Sequence, residues 1–386
     1  MSMLYLDNAA TTAVRPEVLD AMMPYLTRWF GNASSSHTAG EAAAEALADA
    51  RARVARVMGM RASDAVFTSG GTEANNLAVK GIALAAQHAT PSLRVPKRHL
   101  VTTPIEHESI LESGDYLARL HGFDVTHASV DPTGRLSPSA LAAALRDDTA
   151  LVSVGYANNE IGTIQDAVAL AAAAHERGIP IHLDAVQAAG WLPLSGTGAD
   201  ALSIAGHKLG APKGTGALAV RGRIPLEPLL HGGGQERGRR SGTEDVAGAV
   251  GLATALDLAE AERDESARRV GGLRDAFVAA VLAAVPTARV TGDPVRRLPG
   301  TASFTFAGTS GEAVLLELER RGIVSSSGSA CAAGSDEPSH VLVATGVAPE
   351  VAQTAVRFSF PHDARLDAAA LAAQVAASVT AVASGR

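Results

Sequence analysis

The chain has 386 residues, 47% of them hydrophobic and 19% charged, which is enough apolar material for a large core and excludes wholesale disorder. An excess of 40 acidic over 33 basic residues gives a formal net charge of -7, against a nucleic-acid-binding face. The single cysteine, Cys331, excludes an intramolecular disulfide and a disulfide-stapled secreted fold.

At about 150 residues per domain the length allows two domains or three. The N-terminal stretch lacks a basic segment followed by an apolar one, so no signal peptide is expected. Short apolar strands then alternate with Ala-rich helices. Residues 66–68 read as a strand, followed by Gly70-Gly71 and a helix from about Thr72. Further strands are expected at 100–103, 151–156, 179–183, 201–205 and 216–220. A helix is expected at 166–177, stopped by Gly178. This alternation predicts an α/β domain with a mostly parallel sheet. The pattern changes near residue 258. A long helix is expected at 257–285, then strands at 302–306 and 355–360 between helices. The uncharged run 368–385 is too short and too polar for a membrane span and reads as a packed helix. The expected organisation is a large domain over 15–258. A smaller α+β domain is expected from 1–14 and 259–386. A cytoplasmic location is expected.

Polar residues collect just past the strands, the edge where open α/β sheets bind ligands. Ser69-Gly70-Gly71-Thr72 leads into a helix N-terminus, which suits a phosphate or is a plain glycine turn with its cap. The Gly-Lys-Ser/Thr ending of a P-loop is missing. Glu106-His107-Glu108 follows the next strand, with a catalytic or a structural histidine. Asn158-Asn159 before Gly162 could be turn chemistry or could orient a polar ligand. Asp184 ends an apolar strand, where a buried carboxylate needs a partner such as a cationic ring nitrogen; otherwise it caps the next helix. Lys208, in Gly206-His207-Lys208, is either a surface or phosphate-binding cation or an amine that forms a Schiff base. Asp and Lys at two strand ends of one sheet fit a pyridoxal phosphate site. Cys331 lies in the Ser/Gly/Ala-rich segment 325–335, which suggests an exposed, used thiol.

Taken together and in order, these segments resemble a cysteine desulfurase of the NifS/IscS type. That family lies in the class-V aminotransferase group of fold-type-I pyridoxal phosphate enzymes. The resemblance runs from Tyr5-Leu6-Asp7-Asn8-Ala9-Ala10-Thr11-Thr12 to Arg357-Phe358-Ser359. It includes 69–76, 158–162, 206–208, His231-Gly232-Gly233-Gly234-Gln235-Glu236-Arg237 and 326–331. It implies that Lys208 carries pyridoxal 5'-phosphate and Asp184 holds the ring nitrogen protonated. Gln187 would contact the ring hydroxyl, with Asn159 nearby. His107 would stack on the ring and assist proton transfers. Gly71, Thr72 and His207 would bind the phosphate. Asn159 and Arg357 would hold the carboxylate of L-cysteine. Cys331 would take the sulfur as a persulfide for a sulfur-acceptor protein, an iron–sulfur scaffold or a thiolation protein. No resident metal is expected, with Cys331 available as a transient iron–sulfur ligand. Thr243, in Arg240-Ser241-Gly242-Thr243, would reach the phosphate of the other subunit of a homodimer. Ala205 departs from the family's usual Ser, so one phosphate hydrogen bond is expected to be missing. Ser203 is expected on the same strand face.

Other readings are a selenocysteine lyase or another class-V aminotransferase. A transaminase has no need of a thiol, which speaks against it. A non-catalytic sulfur-relay scaffold would not need Lys208, Asp184 and His107 together. Arg237, Arg239 and Arg240 prompt a nucleic-acid module, which the acidic net charge disfavours.

Overall fold

The computed structural model describes residues 3–88, 97–328 and 337–384. Twelve strands occur among these residues. In chain order they are β1 Leu4–Tyr5, β2 Ala65–Thr68, β3 His99–Thr102, β4 Asp124–His127, β5 Thr149–Gly155 and β6 Ile181–Asp184. They continue with β7 Ala201–Ala205, β8 Gly216–Val220, β9 Ala288–Val290, β10 Thr301–Phe306, β11 Ile323–Val324 and β12 Ala355–Ser359. Seven form the main sheet in the order β2-β8-β7-β6-β5-β3-β4. Only β8 runs against its neighbours β2 and β7; the other pairs are parallel. The mostly parallel sheet expected from the sequence is therefore present. Its central strands are buried along their length, as covered parallel strands must be.

Strands β7 and β8 match the expected 201–205 and 216–220. The long helix does not match its expected start. It runs Val246–Ala284, begun by Asp245, whose Oδ1 accepts from Gly248 N at 2.8 Å. Its first half, including Val250, Leu252, Ala255 and Leu256, is buried in the core below the main sheet. An element buried on every side carries no amphipathic stripe, so the sequence pattern shows only the charged second half. That second half joins another core. There Phe277 packs edge-on against Phe304, Phe358 and Phe360, with ring centroids 5.8, 5.2 and 5.6 Å apart. This core covers the antiparallel sheet β12-β10-β9 and also buries Leu6. The expected boundary at 258–259 thus falls inside one continuous helix that serves both cores. No helix among the described residues is long and apolar enough to cross a membrane.

The parallel arrangement brings the ends of β2, β3, β5, β6 and β7 to one edge of the sheet. The N-terminal segment and β12 close over that edge. Asn8 Nδ2 donates to Ser359 O at 2.8 Å, and Thr12 N donates to His207 O at 2.9 Å.

Candidate active site

A cavity of about 870 Å³ opens at this edge, between the strand ends and the second core. Gly71, Thr72, His107, Asn159, Asp184, Gln187, His207, Lys208 and Arg357 all line it. Residues far apart in sequence therefore meet in one space, as expected of a shared site. Thr243 does not line it; in the single chain it lies exposed on the loop before the long helix. Cys331 lies outside the described residues. The flanking Gly328 and Glu337 both line the cavity.

At one end, β2 gives way to Gly70, whose φ of +145° favours glycine. Gly71 then starts the helix Gly71–Asn76. A Cβ on Gly71 would stand 2.7 Å from Val186 Cγ2 and 3.3 Å from Ala205 Cβ, so this position admits no side chain. The result is a tight cradle of backbone N–H groups, the form a phosphate needs. His207 borders it, with Nδ1 3.2 Å from Thr11 Oγ1. Burial lowers the His207 pKa to about 4, helped by the charges of Lys208 and Lys213. Ser203 does not supply the hydroxyl absent at Ala205. It bonds His182 Nε2 at 2.8 Å, and His182 Nδ1 lies 2.9 Å from Ser153 Oγ, so the three side chains form a buried ladder within the sheet. Burial lowers the His182 pKa to about 3.

At the floor, Asp184 accepts from Asn75 Nδ2 at 2.7 Å and from Val186 N at 2.9 Å. It is buried, and among the described residues it has no ion-pair partner. Asn75 Nδ2 also donates to Ser109 Oγ at 2.9 Å. Ser109 Oγ lies 2.8 Å from His107 Nδ1, which also accepts Ser109 N at 3.0 Å. With Nδ1 an acceptor, the proton of a neutral His107 sits on Nε2. A chain of hydrogen bonds thus links Asp184 to the tautomer of His107. Asn75 Oδ1 is buried without a partner. Sequence reasoning gave Asn75 and Ser109 no role. Their only signal is position: Asn75 stands one helical turn past Thr72, and Ser109 stands two residues after His107.

Lys208 Nζ donates to the carbonyls of Ala9 at 2.5 Å and Ala10 at 2.7 Å. Gln187 Nε2 donates to Ala9 O at 3.0 Å. Glu106 is fully buried beside this floor. It accepts Thr103 Oγ1 at 2.5 Å and Gly155 N at 2.6 Å. Burial pushes its pKa up to about 8, Asp184's charge adds to the rise, and the two hydrogen bonds oppose it. Its backbone carbonyl faces His340 Nε2 at 3.0 Å. At the rim, Glu160 accepts Ser339 Oγ at 2.5 Å, and burial raises its pKa. Arg357 is buried there, bonded to Asp7, Asn159 O and Gly328 O.

The geometry fits pyridoxal phosphate on two counts. Gly71 admits no side chain between Val186 and Ala205, and the helix it starts presents backbone N–H groups suited to an anion. The buried Asp184 carboxylate has no paired cation among the described residues, and a protonated ring nitrogen would supply one.

Residues 4–367 match the family model of class-V aminotransferases. The chain is 45% identical over 375 residues to an IscS-like cysteine desulfurase of Mycobacterium tuberculosis, covering 95% of this chain and 94% of that one. Among solved structures, a NifS-like protein superposes with a TM-score of 0.87 at 34% identity, covering 99% of this chain and 98% of the other. A structure described as SspA in complex with cysteine superposes with a TM-score of 0.79 at 34% identity, covering 93% and 99%.

Proposed function

The chain belongs to the class-V aminotransferase family, and from that membership we propose that it is a pyridoxal-phosphate-dependent cysteine desulfurase. It converts L-cysteine to L-alanine and keeps the sulfur on Cys331. The observation that carries this reading is one cavity lined by Lys208, Asp184 and both neighbours of the segment that holds the only cysteine.

Bound at this site, the cofactor supplies an electron sink for the bonds at the substrate's Cα. Lys208 is the amine that would hold it, and the same amine would carry the proton at Cα. Asp184 keeps the ring nitrogen protonated. Gly71, Thr72 and His207 seat the phosphate, and Gln187 faces the ring hydroxyl. Arg357 and Asn159 hold the substrate carboxylate. His107, whose Nδ1 is held by Ser109, would stand against the ring and offer its Nε2 proton to the substrate. Cys331, as thiolate, forms an S–S bond to the substrate sulfur while the C–S bond breaks. The carbon keeps the bonding pair and takes a proton, leaving as alanine. Cys331 follows Gly328 at the cavity wall by three positions, a tether of at most about 10 Å. The persulfide is a reversible cap, so its sulfur can pass to an acceptor protein.

The same reading includes a homodimer. Arg240 pairs with Glu73 at 2.9 Å, which keeps the loop bearing exposed Thr243 close to the phosphate cradle. From there Thr243 can serve the partner's site. The acceptor is an iron–sulfur scaffold or a thiolation protein, met in the cytoplasm.

The test is Cys331→Ser. The variant should keep the fold and the bound cofactor, and its absorbance should still respond to cysteine. It should release no alanine, because a serine hydroxyl is a poor nucleophile toward sulfur. The unaltered protein, given cysteine without reductant, should gain one sulfur, mapped by mass spectrometry to Cys331. Alanine release by Cys331→Ser at the unaltered rate would overturn the reading.

A further inference from the structure

Arg357 is 2% exposed, and its guanidinium is divided among unequal partners. Nη1 donates to Asn159 O at 2.9 Å and to Gly328 O at 3.4 Å. Nη2 donates to Asp7 Oδ1 at 2.7 Å. The Nε–H is buried with no acceptor. The carbonyls carry no net charge, so Asp7 is the only anion paired with this cation among the described residues. Glu160 is near enough to feel the guanidinium, but its hydrogen bond goes to Ser339. Arg357 lines the cavity and Asp7 does not. Asp7 therefore stands behind the arginine, while the unspent Nε donor belongs to a side chain of the cavity wall.

Charge accounting gives this arrangement a consequence. A buried arginine without a counter-ion is costly, so Asp7 stabilises the ligand-free state. When a carboxylate ligand reaches Arg357, one cation faces two anions, and the like charges repel across the guanidinium. We propose that Asp7 is a specificity-determining residue for the substrate's carboxylate end. Paired behind Arg357, it weakens that seat for carboxylates, and so lets an amino-acid product leave after reaction. The inference rests on reading Arg357 as the carboxylate seat. Asp7 touches no ligand and acts only through the arginine.

The backbone around Asp7 is fixed independently of its charge. Its carbonyl accepts Ala10 N at 3.0 Å, and its residue bridges to Ser359. Asp7→Asn removes the charge and keeps an oxygen that can accept from Nη2. The holoenzyme should be titrated by calorimetry with L-alanine and with L-alaninamide, which lacks the carboxylate. In Asp7→Asn, L-alanine should bind at least about ten-fold tighter, while L-alaninamide is unchanged. Asp7→Ser, a second neutral replacement, should shift L-alanine in the same direction. In Arg357→Gln, L-alanine should lose its advantage over L-alaninamide. If Arg357→Gln leaves that advantage intact, the seat is elsewhere and both the reading and the inference fall. If Arg357→Gln removes it but Asp7→Asn binds L-alanine no tighter, Asp7 merely orients the arginine and the inference alone falls. Equal shifts for both ligands would also overturn it.

Discussion

At the floor of the cavity, Asp184 takes two neutral donors, one from Asn75 and one from the backbone of Val186. At the rim, Arg357 takes a full counter-charge from Asp7. The floor rests on strand ends of one sheet, and its anion stays unpaired by any cation among the described residues. The rim joins the N-terminal segment, β12 and the segment 337–340, and its arginine is matched by Asp7 within the protein. A fixed site that keeps an unmatched charge awaits a resident group of opposite sign. A site whose charge is already matched can take and release a passing ligand. The two regions thus differ in the permanence of what they bind.

The largest effect should come from breaking the floor. Asp184→Asn keeps the shape and removes the charge that holds a ring nitrogen protonated. Its amide must also face the Asn75 amide, which donated to the carboxylate. Alanine release from cysteine should fall by roughly 10³-fold, the scale of losing a preorganised electrostatic partner. The cofactor should remain bound through Lys208 and the phosphate cradle, checked by absorbance. A loss below ten-fold would mean that the floor does not carry the charge match. At the rim, by contrast, Asp7→Asn is expected to strengthen binding.

An intermediate effect separates two carboxyls of the same floor. Glu106 has a folded-state pKa raised to about 8 from an ordinary 4.5, chiefly by burial. The folded state therefore binds a proton that the unfolded state has lost. The stability contributed by that proton is fully present below about pH 4.5 and declines as pH rises to about 8. Glu106→Gln cannot ionise there. Its melting temperature relative to the unaltered protein should rise steadily from pH 5 to pH 8 and then level. Parallel melting curves across that range would show that Glu106 is ionised in the fold.

Much of this was legible in the sequence, and the losses are physical. β7 is a mostly apolar run stopped by Gly206 and β8 an apolar run opened by Gly216, so their bounds are found from residues alone. The start of the long helix is hidden because Val246 to Ala253 is buried all round. The two-residue strands β1 and β11 are too short to show a period. Lys208 and Asp184 stand out because an amine is rare and a buried carboxylate costly at a strand end, whereas His107, a helix cap five residues past its strand, stands out only through the family resemblance. Asn75, Ser109 and Asp7 do not, because each acts through another side chain. Asn75 meets Asp184, and Asp7 meets Arg357, only after the chain has folded. Ser203 shows the limit of face arguments. Its strand face matches that of Ala205, but its hydroxyl belongs to His182.

The smallest effect sharpens the phosphate end of the floor. Ala205 is 1% exposed, and its Cβ faces the cradle, 3.3 Å from where a Cβ on Gly71 would stand. A hydroxyl added at this Cβ points toward the first turn of the helix Gly71–Asn76. With phosphate in the cradle it gains a charged acceptor, and a hydrogen bond to a charged group contributes about 1.5 kcal/mol or more. Part of that is lost to desolvating the hydroxyl, so a net gain of about 1 kcal/mol is a fair expectation. Ala205→Ser should therefore slow loss of the cofactor during dialysis against a carbonyl scavenger by about five-fold. The cofactor-free variant gains nothing, because its buried hydroxyl has no anion to meet. It should melt at the same temperature as the cofactor-free unaltered protein, or slightly lower. A rise in the cofactor-free melting temperature, with no change in the rate of cofactor loss, would move the phosphate away from Gly71 and Ala205. The floor would then owe its grip to Lys208 and Asp184 alone.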